Sequence, residues 1–295
     1  MNIIKINNLT KDYGNGKGIF NVNICVNKGE VFGFLGPNGA GKTTTIRNLM
    51  GFIKADSGSC EILGMDCFKE AEKIQEKLGY LAGEIAFFDD LTGIKLLNFI
   101  ADMKGLKDRS RMNELIERFE LDPKGKVKKM SKGMKQKIGI ISAFMSNPEV
   151  LILDEPTSGL DPLMQNKFID LILEEKKKGT TIFMSSHIFE EIERTCDRTA
   201  IIREGKIVAI EDMDTLSKKK SKIYIISLLN DNDVEKIKKD NFNIKEIDGL
   251  NVSIEVKGDI NEFLKKISQY KISDMNIRTQ SLEEIFLHYY GKGEK

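Results

Sequence analysis

Gly36-Pro-Asn-Gly-Ala-Gly-Lys-Thr-Thr44 follows the apolar run Val31-Phe-Gly-Phe-Leu35. That run is rich in β-formers and reads as a short buried strand, and Thr43 to Met50 reads as a helix. Two glycines separated by four residues and followed by Lys-Thr form a phosphate-cradling pattern, here in the strand, loop and helix order it needs. Gly36, Gly39 and Gly41 let successive N–H groups turn inward, where the positive end of the new helix dipole also falls. Lys42 adds a point charge between the β- and γ-phosphates, Thr43 offers a hydroxyl to Mg²⁺, and Thr44 faces the α-phosphate side. The whole loop, Gly36, Pro37, Asn38, Gly39, Ala40, Gly41, Lys42, Thr43 and Thr44, is expected to hold a nucleoside triphosphate. The pattern occurs once, so the chain carries residues for one such site.

The 295 residues suffice for one large domain and a smaller one. Apolar content of 40% and charged content of 31% are those of an ordinary soluble protein. A net charge of +1 gives no push toward nucleic acid or an anionic membrane. The longest apolar stretches, such as Ile138 to Met145, fall far short of the roughly 20 residues that span a bilayer. Met1-Asn-Ile-Ile-Lys-Ile alternates like a strand rather than a signal peptide. Cys25, Cys60, Cys67 and Cys196 form no CxxC pair and read as buried thiols of a cytosolic protein. With His187 and His288 the only histidines, a multi-histidine metal centre is excluded.

Up to about Asn27 the chain alternates as strands do, around a glycine-rich turn at residues 11 to 18 that carries Tyr13. Helical spacing is expected over 92–104, 110–120 and 133–146. A strand follows at 150–154, then a helix at 163–178, a strand at 180–184 and a strand pair around Ile201 and Ile207. Strands alternating with helices imply a parallel sheet covered on both faces. After Lys218 to Lys220, read as a solvated linker, the order becomes strand 222–229, helix 232–239, strands 242–247 and 251–256, helix 259–268, strand 273–279 and a last helix at 282–290. The first six form a βαββαβ, ferredoxin-like order.

Val150-Leu-Ile-Leu-Asp154-Glu155 is a second apolar run, ending in two carboxylates. On a central strand beside the phosphate loop, the first acid can hold Mg²⁺ through water while the second polarises an attacking water. A buried strand with a polar end has the same appearance, and the neighbouring segments decide between the two. Gly36 to Thr44, Met130-Ser-Lys-Gly-Met-Lys-Gln136, Leu151-Ile-Leu-Asp-Glu-Pro-Thr-Ser-Gly-Leu-Asp161 and Ser185-Ser-His187 stand in the order and spacing of the ABC ATPases. About residues 1 to 215 resemble that family.

The resemblance implies a P-loop ABC-type ATPase domain over 1–215, with a mixed sheet and a helical subdomain over about 84–148. A small α+β ferredoxin-like accessory domain over 216–295 completes the expected fold class. Tyr13 is similar to the aromatic that stacks on adenine. Ser131 to Gly133 resembles the signature segment, usually LSGGQ, which in this family faces the γ-phosphate held by another subunit. Asp161 resembles the loop that links the two sites, although Asp161-Pro162 is also a plausible helix cap. His187 resembles the histidine that touches the γ-phosphate. The implied catalytic set is Glu155, His187 and Lys42, with ATP as substrate, Mg²⁺ as cofactor, and a second copy and a separate permease as partners. Such a chain sits on the cytoplasmic face of the membrane, and no nucleic-acid partner is expected.

Two departures stand out. Where the family presents a metal-binding glutamine, the chain reads Ala82-Gly83-Glu84, leaving Glu84 or water to supply that oxygen. In the signature, Lys132 replaces a glycine, either adding charge near phosphate or pointing into solvent. YSKGMKQ-like signatures with a glycine-glutamate loop resemble the branch that exports drugs, bacitracin and lantibiotics. That branch often has a C-terminal domain ending like Ser281-Leu-Glu-Glu-Ile-Phe286, whose role can be dimer-stabilising, regulatory or permease-contacting. The rival is a soluble ABC ATPase acting on ribosome or DNA. It lacks support, because the chain has neither a long coiled-coil insertion nor a second cassette nor a basic balance.

Overall fold

Fully apolar strands without alternation belong in the middle of a parallel sheet covered on both faces, and the run before the phosphate loop takes that position. In the computed structural model, which describes residues 1–88, 90–219, 221–256, 259–281 and Glu284, the chain divides into two compact units, Met1–Met213 and Asp214–Lys295. The first unit begins with an antiparallel hairpin of β1 (Asn2–Asp12) and β2 (Gly18–Asn27), then β3 (Val31–Leu35) and α1 (Lys42–Leu49). Next come β4 (Ser57–Ile62), β5 (Met65–Asp66), α2 (Ala71–Lys77) and β6 (Leu78–Leu81). A helical segment of α3 (Gly93–Met103), α4 (Ser110–Arg118) and α5 (Lys132–Phe144) leads to β7 (Val150–Asp154). The unit closes with α6 (Pro162–Lys177), β8 (Thr181–Ser186), α7 (Phe189–Thr195), β9 (Arg198–Arg203) and β10 (Lys206–Asp212).

The main sheet has the order β10-β9-β3-β8-β7-β6, parallel except for β10. β3, β7 and β8 are buried along their whole length, and Phe32 and Phe34 pack on Phe183 at ring distances of 5.8 and 5.4 Å. A second, antiparallel sheet has the order β2-β1-β4-β5. Its inner residues, among them Ile4, Ile6, Leu9, Val22 and Ile24, share a core with Ile46 and Leu49 of α1 and with Phe32 and Phe183 of the main sheet. Emptying one of these sites, as in Phe32→Ala, costs about 3–5 kcal/mol. The phosphate-loop helix is therefore packed between two sheets.

In the second unit, α8 (Met213–Lys219) leads into β11 (Lys222–Leu228), α9 (Asp231–Lys239), β12 (Ile244–Asp248), β13 (Asn251–Val256), α10 (Ile260–Ile267) and β14 (Ile272–Thr279). The antiparallel sheet order β12-β13-β11-β14 places the first strand between the third and the last, which is the ferredoxin-like arrangement. Tyr224, Ile226, Val234, Ile237, Val252, Ile254 and Phe263 form its core.

The stretch 57–81, given no elements above, holds β4, β5, α2 and β6. Two expectations need correction. Lys218 and Lys219 end helix α8 rather than forming a linker. Cys25 is exposed, unlike the other three cysteines. The helix expected over 282–290 lies, apart from Glu284, outside the described residues. Among the described residues, no helix is long and apolar enough to cross a membrane.

Candidate nucleotide site

The loop from Gly36 to Gly41 leaves the end of β3 and enters α1, whose N-cap, Gly41, offers no side chain to the first N–H groups. Those donors are left to an anion. Lys42 is buried, and its ammonium donates to the Gly36 carbonyl at 2.6 Å and the Pro37 carbonyl at 3.2 Å. Thr43 and Thr44 line a cavity of about 460 Å³ together with Asn38, Gly39, Gly41, Lys42 and Glu155.

The opposite wall comes from two distant turns. One is the β1–β2 turn with Tyr13 and Gly16 to Gly18, and the other is Glu204–Gly205 between β9 and β10. The first is braced by Tyr13 N–H to the Lys17 carbonyl at 2.8 Å and Gly14 N–H to Asp12 Oδ1 at 2.7 Å. Tyr13 is left 54% exposed, offering a ring face at the cavity mouth. Gly205 N–H donates to the Ala40 carbonyl at 2.9 Å, and the Gly205 carbonyl accepts from Phe20 N–H at 2.7 Å. A Cβ on Gly205 would meet the Gly18 carbonyl oxygen at 2.4 Å, so this junction accepts only glycine. Sequence reasoning missed Glu204 and Gly205, because nothing local distinguishes them from an ordinary hairpin turn.

The carboxylates enter from β7. Asp154 is buried, with Oδ2 accepting from the Thr43 hydroxyl at 2.8 Å and Oδ1 from the Ser185 hydroxyl at 2.5 Å. Glu155 takes a left-handed φ of 49°, which for a non-glycine residue costs roughly 1–2 kcal/mol. Its N–H donates toward the Ser185 hydroxyl at 3.1 Å, and Gln136 Nε2 donates to the Glu155 and Pro156 carbonyls at 3.3 and 2.7 Å. The turn aims the carboxylate between two partners. Oε2 lies 2.5 Å from His187 Nδ1, and Oε1 lies 3.0 Å from Lys42 Nζ. The Lys42 contact is a charge pair without hydrogen-bond alignment, so Oε1 is buried with no donor of its own. Ser185 and Gln136 both lay inside quoted segments of the sequence but were given no role there.

Beneath this group, burial pushes the Glu191 carboxyl up while hydrogen bonds from the Thr157 and Ser186 hydroxyls act against that shift. Burial, with the Asp154 charge adding to it, pushes the Tyr80 phenol up to about 12. It stays neutral at physiological pH.

A second cavity of about 420 Å³ is lined by Thr43, Gly83, Glu84, Lys132, Asp154, Glu155, Ser158 and His187, among others. A Cβ at residue 83 would lie 3.1 Å from Asp154 Oδ2. The chain thus runs close over the carboxylate at this position. Glu84 reaches the rim of the same cavity as Thr43 and Asp154. Among the described residues, no group of three or more His, Cys, Asp or Glu side chains can hold a metal alone. A hydroxyl and a carboxylate oxygen that already converge fit a hard cation whose remaining ligands are phosphate and water.

Ser131, Gly133 and Asp161 line neither cavity. Ser131 caps α5, its hydroxyl accepting from Met134 N–H at 3.2 Å, and Asp161 caps α6, accepting from Met164 N–H at 3.0 Å ahead of Pro162.

A buried parallel strand, a glycine-rich loop closing on a lysine, and a carboxylate-ended strand one position removed in the sheet define a P-loop nucleoside triphosphatase. Comparison with known proteins narrows the class. The sequence profile of the ABC transporter family matches residues 19–158. The chain is 40% identical over 247 residues to the bacitracin transport ATP-binding protein of Bacillus licheniformis, covering 83% of this chain and 81% of that one. It is 38% identical over 213 residues to the linearmycin resistance ATP-binding protein of Bacillus subtilis, covering 70% and 68%. Among solved structures, the ATP-binding subunit of an ABC transporter aligns with a TM-score of 0.68 at 30% identity, over 74% of this chain and 92% of that one. A dimeric bacterial ABC transporter cassette aligns at 0.65 and 25%, over 71% and 98%. The protein belongs to the ABC transporter ATP-binding protein family, and is an ATPase related to the ATP-binding subunits of antibiotic transport and resistance systems.

Proposed function

We propose that this chain drives the export of a peptide antibiotic or similar drug by hydrolysing MgATP against a separate membrane permease. Two copies close on two ATP molecules, and the protein sits on the cytoplasmic face through the permease. The observation that carries the hydrolytic part is Glu155, turned by its left-handed backbone and fixed between His187 and Lys42 with one unbonded carboxylate oxygen. That oxygen faces Lys42, and it is the one placed to accept a proton from water once the lysine turns to phosphate.

In this reading Glu155 orients the attacking water and takes its proton. His187, 2.5 Å away, holds the carboxylate in line and faces the γ-phosphate. Lys42 exchanges two neutral carbonyl oxygens and the Glu155 carboxylate for phosphate oxygens. Thr43 and Asp154 hold Mg²⁺, which supplies charge neutralisation of the phosphates when bound. Tyr13 stacks on adenine, and Ser131, Gly133 and Asp161, turned away from this chain's own cavities, serve the nucleotide of the partner copy. The second unit, Asp214–Lys295, is an accessory to this motor. Export is supported by relatives named for bacitracin transport and linearmycin resistance.

The test is capture of the Glu155→Gln protein with ATP from detergent-solubilised membranes of its host, with mass identification of co-purifying chains. Recovery of a multi-span membrane protein supports the reading. Recovery of ribosomes or DNA without such a partner overturns it.

A further inference from the structure

The lysine that departs from the family's signature is exposed, yet its ammonium is engaged by a neighbouring loop of the same chain. Lys132 Nζ donates to the Ser158 hydroxyl at 2.9 Å. Its stem lies flat on Gly159, where a Cβ would meet Lys132 Cγ and Cδ at 3.1 Å. Beside it the backbones themselves touch, since a Cβ on Gly133 would sit 2.8 Å from the Gly159 carbonyl oxygen. Lys132 and Ser158 also line the cavity that holds Asp154, Glu155 and His187. The first turn of α5 and the segment after Glu155 therefore meet in one joint, and Lys132 spans it.

We infer that Lys132 is a positioning residue that ties the Ser131 turn to the Ser158–Gly159 segment, so that Ser131 and Asp161 approach the partner copy's nucleotide as one rigid element. The inference rests on the two-chain site proposed above. Ser131 and Asp161, next to the two ends of the tether, line neither of the chain's own cavities, and only two residues separate Ser158 from Asp161. A glycine at 132 has neither the stem nor the donor to make this contact, leaving only the Gly133–Gly159 approach to hold the two segments together. The bond is charged and lies at the surface, so its value is in orientation more than in stability. Binding of ATP to a single chain does not involve it.

The test is a double-mutant cycle on steady-state ATP hydrolysis by the full chain, using Lys132→Met, Ser158→Ala and the pair. Lys132→Met is expected to lower kcat about tenfold with KM for ATP held within about twofold, the kinetic equivalent of one charge-assisted hydrogen bond. Ser158→Ala should act alike, and the pair should be no worse than either alone, because both remove one interaction. Lys132→Arg, which keeps charge and reach, should recover most of the turnover. Wild-type kcat in Lys132→Met, or additive losses in the pair, overturns the tether. Light scattering of the Glu155→Gln protein with ATP separates this from the parent reading. If that protein stays single, the two-chain site falls and this role with it. If it pairs while Lys132→Met keeps wild-type turnover, the tether alone falls.

Discussion

Helix α1 begins at a glycine-rich loop and helix α5 at a serine cap, and their first turns lie in opposite surroundings. At α1, Lys42 is 5% exposed, and Lys42, Thr43, Asp154, Ser185, Glu155 and His187 are linked by contacts of 2.5 to 3.1 Å. At α5, Ser131 and Lys132 are exposed, and the turn is held by its own cap and by the contact to residues 158 and 159. One anion-receiving turn is complete within the chain. The other has its donors in order but nothing opposite them, the form expected of half a site. Mutations at the first should therefore impair ATP binding by a single chain, and mutations at the second should spare that binding and lower turnover only where two chains work together.

The largest effect is expected from Lys42→Ala, which should weaken ATP binding about a hundredfold by removing the charged donor of the loop. Calorimetry on the single chain reads this directly, and retained affinity would erase the contrast. Glu155→Gln should cut turnover by about 10²–10⁴ while leaving that affinity unchanged. Parallel loss of binding would mean that Glu155 holds the loop rather than the water. At the second turn, Gly133→Val brings a side chain against the Gly159 carbonyl and should lower turnover about tenfold through overpacking. Single-chain ATP affinity should not change, and a fall in it would merge the two sites into one. Ser131→Ala loses the cap, at about 1 kcal/mol, and melting should fall by about 2–4 °C.

The smallest effect concerns pH. Glu191 supports the floor of the first site from beneath Thr157 and Ser186, and burial raises its carboxyl. A raised carboxylate contributes stability when protonated and loses it as pH climbs through its folded value. Between about pH 5 and 8 the wild-type melting temperature should thus fall more steeply than that of Glu191→Gln. Equal slopes in the two proteins would show that burial does not raise this carboxyl.

The same contrast marks what was legible in the sequence. The phosphate loop, the Asp154–Glu155 pair and His187 were readable because each sits at the end of an apolar run whose pattern is local. The βαββαβ order of the second unit was readable for the same reason. The hairpin of β4 and β5 was not, because Ser57-Gly-Ser is exposed and polar and the turn uses Leu63 at a φ of 55°, which leucine rarely adopts. Gly83 stood out as a departure, but its closeness to Asp154 is set by a strand some seventy residues later. Gln136, Ser185 and Gly205 serve the site through contacts of high sequence separation, and periodicity carries no such information.

Gly205 and the neighbours of β3 have a bearing on the order in which the protein is made. The loop at 36–44 leaves the ribosome early, but its strand pairs with β8 and β9, and the Thr199 hydroxyl that donates to Gly33 is 166 residues downstream. The turn that joins Ala40 to Gly18 and Phe20 comes later still. During synthesis the nucleotide's cradle thus waits, unpaired at both edges, until most of the first unit has been translated. ATP can act as a folding ligand only for a nascent chain that already extends past residue 205.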